Sequence, residues 1–327
     1  MKTPAFWYEK KGWKAFALSP LSFVYTMLST FHFFYRKCFQ KRLPIPVICI
    51  GNLTLGGSGK TPTAIAIADI LKTHYGKTPH FLTRGYGGKV KNLHKTTLLD
   101  NPSYTGDEPL LLAKHGTTWV CSDRYQSGKA AHDEGADVCI MDDGLQNPSL
   151  FHDLTLLVID GQQGLGNGCT FPAGPLRTFP KKGMREADAI ILIHGSKTDK
   201  DALTLYKKPV FDAHFEARLP IPPQAIIAFA GIGYPKKFKH SLETLGFKIL
   251  AFYDFPDHYV YTEKDIGDLY TRSIALSCPI LTTEKDYLKI PAPWREKMYT
   301  LPITLSFRDS DSFFHFLEDA LKIDRIK

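Results

Sequence analysis

With 327 residues, 43% of them hydrophobic, the chain is long enough to bury a sizeable core and to form two domains. A net charge of +8 fits an anionic partner, whether nucleotide, nucleic acid or acidic lipid headgroup, and argues against a strongly cationic one. The six cysteines (Cys38, Cys49, Cys121, Cys139, Cys169, Cys278) include no C-x-x-C pair, which argues against a disulfide framework or zinc site and for reduced thiols in a cytosolic setting.

The first element is unusual for a soluble enzyme. Ala15 to Tyr35 carries no Lys, Arg, Asp or Glu and is dense in Phe, Leu and Tyr, with Lys10, Lys11 and Lys14 before it and Arg36, Lys37, Lys41 and Arg42 after it. Its length is close to the ~20 residues that span a bilayer. Ser19, Ser22, Thr26, Ser29 and Thr30 nevertheless recur at helical spacing, and a polar stripe with aromatic residues opposite suits a helix lying in the interface. We read residues 1–42 as a membrane-associating helical segment, shallowly inserted or singly anchored. No small-residue site marks a cleaved signal peptide, and a buried helix of a soluble core is the alternative. Basic charge on both flanks leaves orientation undecided.

Next, an apolar strand from Val47 runs into Gly51-Asn-Leu-Thr-Leu-Gly56-Gly57-Ser-Gly59-Lys60-Thr61-Pro62, and a helix follows over Ala64 to Leu71. This is the layout of a phosphate-binding P-loop. Backbone N–H groups and a helix N-terminus cradle an anion, Lys60 reaches the β/γ-phosphates, and Thr61 offers its hydroxyl to Mg²⁺. Thr54, Leu55, Gly56, Gly57, Ser58, Gly59, Lys60 and Thr61 are therefore the expected nucleotide contacts. The strict motif has Gly where this chain has Thr54, so Gly56 and Gly57 must supply the flexibility.

Strand and helix signals then alternate. Pro79 to Thr83 leads into Arg84-Gly-Tyr-Gly-Gly88, where Arg84 is either a phosphate contact or part of a surface turn. Gly106-Asp107-Glu108-Pro109 opens a helix, and the residues alone read Asp107 as a cap. After a strand at Thr118 to Cys121, Asp123-Arg124 leads into a helix. The run Asp137-Val-Cys-Ile-Met-Asp142-Asp143 is Walker B-like, ending beside the P-loop so that Asp142 or Asp143 can hold Mg²⁺. Leu154 to Asp160 is another strand, followed by a glycine-rich loop and Phe171-Pro-Ala-Gly-Pro-Leu-Arg177, whose Arg177 can face phosphates. With Ala189 to Ile193, at least five alternations predict an α/β fold, a P-loop NTPase-like, mostly parallel sheet with helices on both faces.

A boundary is expected near Leu219-Pro-Ile-Pro-Pro223, separating a core domain over 43–218 from a smaller C-terminal α/β domain over 219–327. The latter is expected to hold strands at Ala225 to Ala230, Phe247 to Tyr253, Pro279 to Thr282 and Met298 to Phe307, and a last helix over Ser312 to Leu321. Its loop Asp254-Phe-Pro-Asp257-His258 offers a histidine that is either solvated or chemical.

The ordered set Gly56-Gly57-Ser-Gly59-Lys60-Thr61, Thr83-Arg84-Gly85-Tyr86-Gly87, Gly106-Asp107-Glu108-Pro109, Asp142-Asp143-Gly144, Pro172-Ala-Gly-Pro-Leu-Arg177, Phe255-Pro-Asp257-His258 and Thr283-Glu-Lys-Asp286 resembles the tetraacyldisaccharide 4'-kinase family over nearly the whole chain. The resemblance implies transfer from ATP, with Mg²⁺, to the 4'-hydroxyl of an acylated glucosamine disaccharide 1-phosphate at the cytoplasmic face of the bacterial inner membrane. It also implies that Asp107 acts as base and His258 as its partner, with Lys60, Gln146 and Arg177 in the site. Leu145, Asn147 and Thr178 depart from the commoner family pattern.

A regulatory ATPase of the deviant-Walker type is the runner-up, but Leu55 stands where its signature Lys belongs. A GTPase lacks its Asn-Lys-x-Asp reader here. A nucleic-acid partner lacks support, because basic and aromatic residues do not interleave outside the N-terminal segment. The expected partners are thus the lipid substrate and a membrane surface, and the expected state is a monomer.

Overall fold

A computed structural model describes residues 4–325; residues 1–3 and 326–327, the ends of the first and last expected segments, lie outside the described residues. In chain order the strands are β1 (Val47–Gly51), β2 (Pro79–Thr83), β3 (His94–Thr96), β4 (Thr118–Val120), β5 (Val138–Asp142), β6 (Leu154–Asp160), β7 (Ala189–Ile193), β8 (Val210–Ala217), β9 (Ala225–Ala230), β10 (Lys248–Asp254), β11 (Ile280–Thr283), β12 (Tyr299–Leu301) and β13 (Ile303–Phe307). They form a nine-stranded sheet, ordered β13-β8-β7-β6-β1-β5-β2-β4-β3, and a four-stranded sheet, ordered β10-β9-β11-β12.

β1 sits in the middle of the large sheet, parallel to β5 on one side and β6 on the other. All five of its residues are buried, as are those of β5, which is what an apolar run without alternation produces when helices cover both faces. The pleat divides β5 accordingly. Val138 and Ile140 join a core with Ile67, Leu71 and Phe81, whereas Cys139 and Met141 join one with Leu43, Trp119 and Ala131. Only the outer strands β3 and β13 run antiparallel, to β4 and β8. The small sheet is parallel throughout and encloses its own core around Phe229, Tyr261 and Ile266.

One expectation needs correction. Met298 to Phe307 is not a single strand of the second unit. The chain breaks at Pro302, which has no N–H to give a sheet. β12 stays with β11, while β13 crosses to pair with β8, Leu305 opposite Phe215. The closing helix Ser310–Leu321 follows it, and Phe313 and Leu317 bury in the core of the large sheet.

The N-terminal helix Trp13–Cys38 has 26 residues, and no helix among the described residues is long and apolar enough to cross a membrane. The middle of its polar stripe, Ser22 and Thr26, is buried against the protein, whereas Ser19 is exposed. Ser22 Oγ donates to Thr170 O at 2.8 Å and accepts the Ala173 N–H at 2.9 Å, and Thr26 lies 3.0 Å from the Thr170 hydroxyl. The outward side carries Phe16, Phe23, Leu28 and Phe31, all at least 60% exposed.

Candidate active site

The phosphate-donor side grows out of the C-terminal ends of β1 and β5. The helix Lys60–Tyr75 starts directly at Lys60, with Gly59 before it at φ 87° and Gly56 at φ 116°. Those two left-handed positions require glycine. Position 54 does not, because Thr54 sits in an extended bridge with Leu176, where an L-residue is at home. Its carbonyl accepts from Asn52 Nδ2 at 2.7 Å, and the Leu55 N–H donates to Pro175 O at 2.7 Å. Thr54 and Leu55 therefore lash the loop to the 170–177 segment, and the Leu55 N–H is already spent. Beyond them a Cβ on Gly56 or Gly57 would meet nothing within 4 Å, and the buried Ser58 hydroxyl has no partner. Open space over glycines beside an unsatisfied hydroxyl fits the phosphates of a nucleotide.

The two acidic residues after β5 behave differently. Asp142 is 2% exposed; its Oδ2 accepts from the Thr61 hydroxyl at 2.7 Å, and its Oδ1 is buried without a partner. Burial, and then the negative charge of Glu108, push its pKa up to about 7. A buried carboxylate oxygen without a partner, beside a threonine hydroxyl, has the chemistry of a metal ligand. Among the described residues no three His, Cys, Asp or Glu side chains are grouped to hold a metal by themselves. Thr61 with Asp142 suits Mg²⁺, which takes one or two protein oxygens and completes its shell with water and phosphate.

Asp143, at φ 56°, is already neutralised: Arg177 lies 2.8 Å away and Lys60 3.6 Å. Burial would raise its pKa, but Lys60 and Arg177 outweigh that and hold it low. Gln146 joins these groups, accepting from Arg177 at 2.9 Å and donating to Asn52 O at 3.0 Å. Arg84 is exposed, and no hydrogen bond or ion pair holds its side chain among the described residues.

A neighbour the sequence marks only as a helix start is Arg124. It is 2% exposed, donates to Cys121 O and leaves Nε unpartnered. Burial and then Arg84 bring its pKa down to about 10.

The acceptor side is assembled from both sheets. Gly106, at φ 93°, packs against the Arg84–Gly88 loop so closely that a Cβ would lie 2.7 Å from Tyr86 O. It delivers Asp107, 4% exposed, at the start of the helix Asp107–His115. Asp107 Oδ1 does accept the Glu108 N–H at 3.0 Å, a local role of the expected kind. Its other partners come from the small sheet: His258 Nδ1 at 2.9 and 3.0 Å from the two oxygens, Lys285 at 3.5 Å and Lys289 at 3.9 Å.

Burial alone would raise the Asp107 pKa; the His258 hydrogen bond and then Lys285 outweigh it and bring it to about 2. The same hydrogen bond raises the His258 pKa against the opposing effect of burial. His258 itself stands at φ 59°, a strained backbone held by its surroundings. The two sides meet at Gly233, where a Cβ would lie 3.3 Å from Asp257 Oδ2 and 4.0 Å from the Gly57 nitrogen. The lysines around Asp107 have no signal in spacing or periodicity; Lys285 is visible only within the family-like Thr283-Glu-Lys-Asp286 run.

Comparison with known proteins agrees with this geometry. The family model described as tetraacyldisaccharide-1-P 4'-kinase matches residues 14–322. A tetraacyldisaccharide 4'-kinase from Rhodospirillum rubrum is 41% identical, covering 100% of this chain and 99% of its own length. One from Brucella anthropi is 36% identical over 98% of this chain and 97% of its own. Among solved structures, an "apo" form of LpxK from Aquifex aeolicus in complex with ATP superposes with a TM-score of 0.76 at 29% identity, covering 94% of this chain and 99% of that one. With a phosphate loop on one side, a buried Asp107 paired with a half-buried His258 on the other, and relatives matched end to end, the chain belongs to the tetraacyldisaccharide 4'-kinase family.

Proposed function

We propose that this protein transfers the γ-phosphate of ATP to the 4'-hydroxyl of a tetraacylated glucosamine disaccharide 1-phosphate, a step of lipid A biosynthesis. The observation that carries the reading is the Asp107–His258 pair, held at 2.9 Å on the far side of Gly233 from the P-loop. Phosphoryl transfer to a hydroxyl needs positioning, charge neutralisation and a group to take the proton.

Asp107 takes the proton of the attacking hydroxyl as that oxygen bonds to the γ-phosphorus and the bond from the γ-phosphorus to the β–γ bridging oxygen breaks, ADP leaving with the electron pair; His258 keeps the carboxylate oriented and shares the proton. Lys60 and the N–H groups of Gly56 to Thr61 hold the phosphates. Thr61 and Asp142 would hold Mg²⁺, which would supply neutralisation of phosphate charge. Asp143 keeps Lys60 and Arg177 aimed until nucleotide arrives, and Gln146 fixes Arg177. Arg84 reaches the site from its exposed loop. Because Asp107 and His258 come from different sheets, the pair forms only when the small sheet docks on the large one, which limits futile hydrolysis by water.

The same reading has the enzyme work at the cytoplasmic face of the inner membrane, and the N-terminal helix supports it. Its exposed aromatic side and the flanking Lys10, Lys11, Lys14, Arg36 and Lys37 suit an anionic bilayer surface. We divide the molecule into this helix, a core around the large sheet that includes β13 and the closing helix, and a small-sheet lobe. A monomer acting without nucleic acid completes the reading.

The test is direct. Purified protein is incubated with ATP, Mg²⁺ and the acylated disaccharide phosphate in detergent, and mass spectrometry is expected to find a product heavier by one phosphate. ATP hydrolysis without that product would overturn the assignment.

A further inference from the structure

Three cationic groups of the small-sheet lobe converge on the one carboxylate of Asp107, and the two lysines among them are held in different ways. Lys289, 5% exposed, is bound to its own lobe: its ammonium lies 2.6 Å from Asp286 Oδ1 and donates to Gly231 O at 3.2 Å. Asp286 is fully buried and also accepts from Tyr261 (3.0 Å), the Gly231 N–H (2.9 Å) and Thr283 Oγ1 (2.8 Å). That network neutralises Lys289 and anchors the loop leading to Gly233.

Lys285 has no such partner within its own lobe at ion-pair distance among the described residues. Its ammonium lies between two carboxylates of the other lobe, 3.5 Å from Asp107 and 3.6 Å from Glu108. A lysine this enclosed keeps its charge only where anions surround it. Here the nearest anions are Asp107 and Glu108, with Asp257 and Asp286 of its own lobe farther off.

We propose that Lys285 is a positioning residue of the transfer reaction, whose ammonium group, shared between Asp107 and Glu108, keeps the Asp107 carboxylate turned to His258 and the imidazole free to share a proton when the lobes are docked. The inference rests on the reading of the Asp107–His258 pair as the proton acceptor. It differs from a purely structural role in what it does to protons. Asp107 is faced by His258, Lys285 and Lys289, with Glu108 adjacent, and His258 by Asp107, Asp257 and Lys285. Removing the Lys285 charge makes both Asp107 and His258 hold a proton more tightly, so activity fails at a higher pH on the acid side. Removing Glu108 leaves the lysine less shared and moves the same limb the other way.

The experiment compares full-length wild type, Lys285→Met, Lys285→Arg, Glu108→Gln, Asp107→Asn and the Asp107→Asn/Lys285→Met double variant, in detergent, from pH 5 to 9. Lys285→Met is expected to lower kcat by about 30-fold or more and to leave the ATP KM within about twofold, with the acid limb displaced upward. Lys285→Arg is expected to recover most of the rate and the wild-type limb. The double variant is expected to be no slower than Asp107→Asn alone, the signature of two groups acting as one unit. A Lys285→Met enzyme with wild-type kcat, or a slow one whose acid limb has not moved, overturns the proposal while leaving the kinase assignment intact. An Asp107→Asn enzyme with near-wild-type activity overturns instead the reading on which it rests. Should Lys285→Met fail to fold, Lys285→Gln is read in its place: an upward displacement of the acid limb supports the proposal and an unmoved limb overturns it.

Discussion

The two halves of the site are built by different means. The phosphate-donor half is made by one sheet, from chain ends that β1 and β5 bring side by side, with Ile50 opposite Asp142. The acceptor half joins residues 151 positions apart, one from the lobe of each sheet, and the contacts of Asp107 with His258 and Lys285 exist only across the seam. A single-sheet half survives any motion of the small lobe, whereas the two-sheet half exists only in the docked molecule. Binding of nucleotide and readiness for transfer are therefore separable properties here.

The sharpest way to break that comparison is to remove a group from each half and compare binding with turnover. Asp107→Ala should lower kcat by about 10²- to 10⁴-fold while leaving ATP affinity within a few fold; Lys60→Ala should lower both, as isothermal titration against ATP would reveal. Equal loss of ATP affinity in both variants would mean that the halves are not separable.

A smaller effect separates the paired aspartates. Asp142→Asn should raise the Mg²⁺ concentration for half-maximal activity by about tenfold or more, because it alters the oxygen pair with Thr61. Asp143→Asn should instead act chiefly on ATP, since it frees Lys60 and Arg177. A larger Mg²⁺ requirement in Asp143→Asn than in Asp142→Asn would reverse the roles.

The seam should also be visible in stability. The Asp107 pKa is depressed, so its contribution is present above the unfolded value of about 4 and is lost as pH falls through about 2. The His258 pKa is raised, so its contribution is full below about 6.5 and is lost as pH rises through the folded value. The melting-temperature gap between wild type and His258→Ala should then be widest between about pH 4 and 6.5 and narrow towards pH 9. A gap that widens towards pH 9 would contradict the pairing. Smallest of all, Thr54→Gly should leave the ATP KM within about twofold and cost roughly 0.5–1 kcal/mol of stability, since an extended bridge gains nothing from glycine.

Much of the donor half is legible in the sequence, because a buried strand, a glycine turn and a helix start lie within a few residues of one another. The strict motif misleads only at Thr54, whose partner Leu176 is more than a hundred positions away. The acceptor half is less legible. From residues alone Asp107 reads as a cap, and only the family resemblance ties it to His258; nothing local announces Lys289, since a buried lysine is made tolerable by Asp286 and a fold that spacing does not reveal. The exchange of β13 between sheets is hidden for a related reason. Alternating apolar residues announce a strand without saying which sheet edge it completes. The N-terminal stripe is correctly visible as a stripe, but which side meets the protein depends on Thr170 and Ala173, far along the chain.

That inverted helix has a mechanical consequence. Ser22 grips Thr170, Thr170 is bridged to Leu176, and Leu176 is bridged to Thr54, two residues before the first left-handed glycine of the phosphate loop. The N-terminal helix and the phosphate-loop turn are thus links of one short tether. Trimming the helix to gain solubility would cut that tether at its root, so a truncated enzyme should be judged by its grip on ATP as well as by its yield.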